Sequence, residues 1–187
     1  MAQLKAVTFR EGEVPQAREG AIPVQEPQPE SGQGSFPPVS DPACQTVLEN
    51  SAAKGASAHV GQIFNWKDDI WPGTSRLASY EGTKAETSFD QLQQALKTCR
   101  SFTGTGYVGE YRAKLIIETA PHVGNEAVSY RLTTPVNDDQ IRDEQHTVVR
   151  VGSTIATFTM LNVGGSSSFP TDLIHKQVER LETVQRK

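Results

Sequence analysis

The sequence predicts an α+β fold, in which a twisted antiparallel sheet carries helices packed on one face and frames a cleft. Two observations predict it. Between residues 107 and 161, alternating apolar and polar residues recur in segments joined by short turns, as in antiparallel strands. On either side, apolar residues recur at the spacing of helices that bury one face. A chain of 187 residues is long enough for one such domain.

Residues 1–40 are predicted to form a proline-rich N-terminal arm or linker, and residues 41–187 the folded domain. Proline fixes φ and removes a backbone donor, so we expect an extended arm rather than a helix. The short apolar patch at 21–24 could let part of the arm lie on the domain.

The folded part is predicted to begin with a helix. Asp41 can cap it, Pro42 suits its first turn, and Cys44 begins its apolar face. Strands are predicted at 58–66, where Gln62 interrupts the alternation, and at 74–82.

A second helix is predicted at 88–99, because Ser88 and Gln91 have the pattern of a capping box and an apolar stripe ends at Cys99. Gly152-Ser153 suits a two-residue hairpin turn. The remaining predicted elements are strands at 107–118, 126–134, 146–151 and 154–161, and a helix at 171–185.

Cys44 and Cys99 are the two cysteines of the chain, and each lies in the apolar stripe of a predicted helix. They could be buried free thiols, since cysteine is often buried. They could instead form one disulfide that joins two helices, which would imply an oxidising compartment. Their separation of 55 residues excludes a C-x-x-C redox pair.

The net charge of −4 argues against nucleic acid as a partner, because that role usually needs a basic surface. No apolar run is long enough to span a bilayer, and the first residues lack the apolar core of a signal peptide. We therefore expect either a cytosolic protein or a chain whose targeting segment has been removed.

Several short motifs have structural explanations. GTGYVG at 104–109 matches G-x-G-x-x-G, but it follows a predicted helix and precedes a strand, the reverse of a dinucleotide loop. The acidic run at 137–144 lacks the alternation and central glycine of a calcium loop. No G-x-S-x-G elbow occurs. We therefore predict no cofactor, no metal site and no catalytic residue.

The segment NWKDDIWPG, 65–73, is the candidate binding loop. It places Trp66 and Trp71 around Asp68 and Asp69, and aromatic residues beside charges are frequent in binding sites. The alternative is structural: Trp66 closes the core and Trp71 holds the loop in place.

Residues 41–185 resemble the PknH-like extracellular sensor domains of actinobacteria. The resemblance rests on a helix starting PxC, on the segment SRLASYEGTKAETSFDQLQQALKTC, and on GNEAVSYRLTT followed by a hairpin ending in TIATFTML. In the first segment, Ser75, Leu77 and Tyr80 mark a strand and Cys99 closes the helix after it.

The resemblance implies an α+β domain outside the membrane, with Cys44 and Cys99 at disulfide-bearing positions. Kinase motifs are absent, so it implies a stand-alone lipoprotein or secreted protein of the cell envelope. The expected role is non-catalytic ligand binding or sensing. The ligand would be a small molecule, a cell-wall fragment or an envelope protein, and any membrane contact would come from a lipid anchor outside this chain. Two alternatives stay open: a secreted hydrolase with dispersed catalytic residues, and a structural protein-interaction domain.

Overall fold

A computed structural model describes residues 2–18, 22, 24–25, 36–106, 109–166 and 168–186. The helices are α1 (Ala2–Ala6), α2 (Pro42–Ser51), α3 (Lys84–Thr98) and α4 (Thr171–Gln185). The strands are β1 (Val24–Gln25), β2 (Ala58–Phe64), β3 (Gly73–Ser79), β4 (Ser101–Gly106), β5 (Gly109–Glu118), β6 (Glu126–Pro135), β7 (Ile141–Val151) and β8 (Thr154–Val163). In this part of the chain, no helix has both the length and the apolar character needed to cross a membrane.

The eight strands form one antiparallel sheet in the order β1-β2-β3-β8-β7-β6-β5-β4. The predicted hairpin is present: Val151 pairs with Thr154 across the turn, where Gly152 has a φ of +52°. Glycine suits this position because it adopts positive φ without a steric penalty. The predicted α+β class and antiparallel sheet are confirmed.

The helices pack on both faces of the sheet, not on one face as predicted. Successive strand residues point to opposite faces, and in the central strands both residues of a pair are buried, as in Val148-Val149 and Ile155-Ala156. One hydrophobic cluster joins one face to α1 and α4, and the other joins the opposite face to α2 and α3. A strand that is apolar on both faces requires cover on both.

The beginning of the chain also differs from the expected extended arm. Residues 2–18 pack on the α4 side of the sheet, where Phe9 is 1% exposed and contacts Phe64 edge to face, with ring centroids 5.8 Å apart. The parts of the expected arm at 1, 19–21, 23 and 26–35 lie outside the described residues. That residues 41–187 fold as the domain on their own stays a prediction.

Two buried glutamines explain why the first residues belong to the core. Gln62 points inward on β2; its amide donates to the Phe9 carbonyl and accepts from the Phe9 N–H, both at 2.9 Å. Gln177 on α4 donates to the Val7 carbonyl at 2.9 Å. A buried amide without partners would cost free energy, so each glutamine requires this segment of backbone.

Several element boundaries differ from prediction, most of all at the start of β7, which lies at Ile141 rather than at residue 146. The helix α3 begins at Lys84, so Ser88 lies inside it rather than capping it. Residues 101–106 form β4, a strand that was not predicted, and β5 begins at Gly109. The G-x-G-x-x-G sequence therefore spans the connection between two strands of a hairpin, although its residues 107 and 108 lie outside the described residues.

Candidate functional site

A disulfide joins α2 to the end of α3. Cys44 and Cys99 are bonded, with their Cα atoms 4.9 Å apart, and both side chains are fully buried. Asp41 caps α2 as predicted, because its Oδ1 accepts from the Cys44 N–H at 2.9 Å. The disulfide interpretation is thus confirmed, and the free-thiol alternative is wrong.

A side-chain amide joins the same helices at their other ends. Asn50 Nδ2 donates to the Ser88 carbonyl at 3.0 Å and to the Ser88 Oγ at 2.9 Å. A carbonyl can only accept, so the amide nitrogen must face Ser88 and Asn50 Oδ1 must point away. Asn50 is 7% exposed, and its Oδ1 finds no hydrogen-bond partner among the described residues.

A cavity of about 360 Å³ opens beside this amide, between the second half of α2 and the first half of α3. Its mouth carries Lys54, which pairs with Glu49 at 2.7 Å, and the exposed Lys84. More of its lining surface is apolar than polar, and its hydroxyl and amide groups come from Thr46, Asn50, Tyr80, Thr87, Ser88 and Gln91. The cavity therefore suits a ligand that combines apolar contacts with a few hydrogen bonds.

Tyr80 lies at the inner wall of the cavity and is 5% exposed. Burial raises the pKa of its phenol, while the Ser88 hydroxyl and the charge of Arg76 oppose the rise. The Tyr80 hydroxyl lies near Ser88 but makes no hydrogen bond with the described residues. It is thus a neutral group that can donate or accept at the cavity wall.

A buried polar row crosses the sheet on the α2–α3 side. Tyr130 shares a 2.7 Å hydrogen bond with Ser51 of α2, and its ring stacks on His146 with centroids 4.9 Å apart. His146 Nδ1 lies 3.1 Å from the Thr159 Oγ1. Burial lowers the pKa of His146 to about 4, so the imidazole is neutral at physiological pH. This row anchors α2 to the sheet.

Within the predicted binding loop, the Trp66 side chain packs into the core of the domain. Its ring is 6% exposed, stacks on Phe64 with centroids 5.5 Å apart, and its Nε1–H donates to the Met160 sulfur at 3.1 Å. Gly73 leaves room for it, since a Cβ there would lie 2.5 Å from the Trp66 Cζ2. These contacts favour the alternative in which Trp66 closes the core.

The other residues of the loop lie nearer to solvent. Asp68 is exposed, whereas Asp69 and Trp71 are half-buried. Asp69 Oδ1 accepts from the Trp71 N–H at 2.9 Å, which is a local turn. Ligand contact by these residues stays a prediction.

Sequence patterns did not identify Asn50 and Ser88 as site residues. Ser88 was assigned to a helix cap, and Asn50 lies among polar residues late in α2. One signal was available: Asn50 lies three residues after Val47, on the face of α2 that Val47 buries. In the part of the chain that the structure describes, no three His, Cys, Asp or Glu side chains group as metal ligands would.

Comparison with solved structures shows that this fold is known. The chain is similar to the extracellular domain of PknH from Mycobacterium tuberculosis, with a TM-score of 0.68 and 17% sequence identity over 97% of this chain and 96% of that chain. A STAR-related lipid transfer protein from Xanthomonas axonopodis aligns with a TM-score of 0.34 and 10% identity, over 72% of this chain and 97% of that chain. No protein-family model and no curated protein matches the sequence significantly. The first similarity confirms the fold that the sequence resemblance implied.

Proposed function

We propose that this chain is a non-catalytic extracytoplasmic domain that binds or senses a small ligand with hydrogen-bonding groups in the cavity between α2 and α3. A disulfide persists in oxidising compartments, which supports a place in the cell envelope or outside the cell. The fold shared with an extracellular domain supports the same location. Lipid anchoring at a segment outside this chain is part of the proposal.

The observation that carries the proposal is the unpartnered Asn50 Oδ1 beside a preformed cavity. A buried acceptor without a partner is costly, and a local movement of the cavity wall would let a ligand donor reach it. Hydroxyl and amide N–H groups are such donors. We therefore propose a carbohydrate or peptide fragment of the cell wall as the ligand class.

The chemistry of the cavity does not favour the hydrolase alternative. Among the described residues that line it there is no histidine, and its one carboxylate, Glu49, is paired with Lys54. A hydrolytic site would need a nucleophile with an adjacent base, or two carboxylates in opposed roles. Binding is the activity that these side chains support.

The test is a titration of ¹⁵N-labelled protein with chitobiose and, separately, with muramyl dipeptide. We expect saturable shifts of the Asn50 side-chain NH₂ and of the Ser88 backbone amide for at least one of them. Thr87→Trp places an indole over the cavity and should abolish the shifts. Asp90→Trp places one at an exposed position of the same helix that does not line the cavity, and it should leave them unchanged.

If neither probe shifts these signals, the proposed ligand class is wrong. If both tryptophan variants reduce the shifts equally, the binding site lies elsewhere. Melting temperatures of both variants ensure that the comparison is made between folded proteins.

A further inference from the structure

A second cavity, of about 620 Å³, lies where α3 ends above β5 and β6. The α2–α3 cavity takes residues from the first half of α3, whereas this one takes Leu96, Lys97 and Arg100 from its end. The two cavities are thus separate, and ligand binding in the second does not depend on the function proposed for the first.

The floor of this second cavity is an apolar part of the sheet beyond the end of α3, which none of the described helices covers. Ile117 lies on the α3 side of β5, opposite the fully buried Tyr130 and two residues after the buried Leu115. Ile117 itself is 50% exposed, because α3 has already ended at Thr98. Val128 of β6 continues the floor. An exposed apolar surface set in a cavity is typical of a binding site.

The rim at the end of α3 is positively charged. Lys97 is exposed, and the Arg100 guanidinium donates to the Leu96, Lys97 and Cys99 carbonyls at 2.7–2.8 Å, which fixes its position. The one acidic residue that lines the cavity, Glu118, pairs with Arg131 at 2.6 Å, and Arg131 also pairs with Asp143. Among the charged residues that line the cavity, two cations stand against one carboxylate, so the rim at the end of α3 is cationic.

We propose that this cavity binds a single-chain amphiphile with an anionic head, of the fatty-acid class. The acyl chain lies on Leu96, Ile117 and Val128, and the carboxylate lies between Lys97 and Arg100. An apolar floor alone would accept any apolar molecule. The two cations at one end select a chain with a negative head and set its direction.

The chain provides a matched pair of variants for the test. Ile116 and Ile117 are adjacent, similarly exposed at 54% and 50%, and point to opposite faces of β5. The measurement is isothermal titration of the full chain with laurate below its micelle concentration. We expect one saturable site in the wild type, weakened about tenfold or more by Ile117→Asp and within about twofold of wild type in Ile116→Asp.

The charged rim is tested in the same way. Lys97→Glu should weaken laurate binding about tenfold, whereas Lys114→Glu, an exposed lysine of β5 that does not line the cavity, should not. Monolaurin, which has the same chain and a neutral head, should bind more weakly than laurate. Thr87→Trp, which blocks the other cavity, should leave laurate binding unchanged.

Three results would overturn this proposal. The first is no saturable laurate binding by the wild type. The second is that Ile116→Asp and Ile117→Asp weaken laurate binding equally. If Ile117→Asp fails to fold, the corresponding result is equal weakening of laurate binding by Lys97→Glu and Lys114→Glu. The third is equal affinity for laurate and monolaurin, which removes the role of the cations.

Discussion

His146 is a buried imidazole whose Nε2 has no hydrogen-bond partner among the described residues. Burial lowers its pKa to about 4 from the 6.5 of an exposed imidazole; the charge of Glu144 opposes the shift and that of Arg142 adds to it. Because the folded-state pKa is the lower one, the unfolded chain binds this proton first as the pH falls. The free energy of unfolding therefore falls as the pH drops below about 6.5. The loss levels off near pH 4, where the folded state also binds the proton.

We predict that lowering the pH from 7 to 4 reduces the free energy of unfolding by about 3 kcal/mol through His146 alone. Urea unfolding at each pH measures the total, and His146→Gln should flatten the profile over this window. The exposed His122 offers the control variant His122→Gln. A His146→Gln profile as steep as that of the wild type would contradict the prediction.

At the scale of the element, α2 and α3 form one antiparallel pair joined at both ends. The disulfide holds the first turn of α2 to the end of α3, and the Asn50 amide holds the opposite ends together beside the cavity. The geometry of the cavity therefore depends on both links. This arrangement explains why the cysteines lie on buried helix faces.

Removing the disulfide should lower stability without changing the fold. In the chain-entropy model, closing a loop of 55 residues stabilises by about 4 kcal/mol, and Cys44→Ala/Cys99→Ala should lose about that amount. Chemical unfolding with and without reductant provides the measurement. Identical stability of oxidised wild type and double variant would mean that the bond does not constrain the unfolded chain.

The sequence predicted single elements well where the apolar period was regular. The last helix was predicted at 171–185, which are its observed limits, and the β7–β8 turn at Gly152 was identified from its residue types. It missed β4, whose two glycines and three hydroxyl residues resemble a loop. It also placed the start of α3 four residues late, because Lys84–Thr87 has one apolar residue to indicate a buried face.

At the scale of the whole molecule, the first residues complete the core. Phe9 lies against Phe64, and the Arg180 guanidinium lies 4.9 Å from the centre of its ring. Composition alone predicted an arm, because proline and polar residues dominate the segment. The available signal was indirect: Gln62 and Gln177 are amides at inward positions, and each needed a partner from elsewhere in the chain.

We predict that Phe9→Ala lowers the free energy of unfolding by about 3–5 kcal/mol, the usual cost of truncating a buried aromatic side chain. Deletion of residues 1–18 should cost more, since it also leaves the Gln62 and Gln177 amides without partners. Phe36→Ala, at a position 40% exposed before α2, is the control and should have a small effect. If the deleted chain were as stable as the full chain, the first residues would be an arm after all.

The proposed function depends on a domain that carries a disulfide and lies in an oxidising compartment. Measuring the intact mass of protein exported to such a compartment tests this most directly. The protein is alkylated while denatured, with and without prior reduction. We predict that Cys44 and Cys99 are alkylated only after reduction, as the bond between them requires. Alkylation of both thiols without reduction would contradict the disulfide and the extracytoplasmic location. It would also contradict the account in which the disulfide helps to fix the geometry of the α2–α3 cavity.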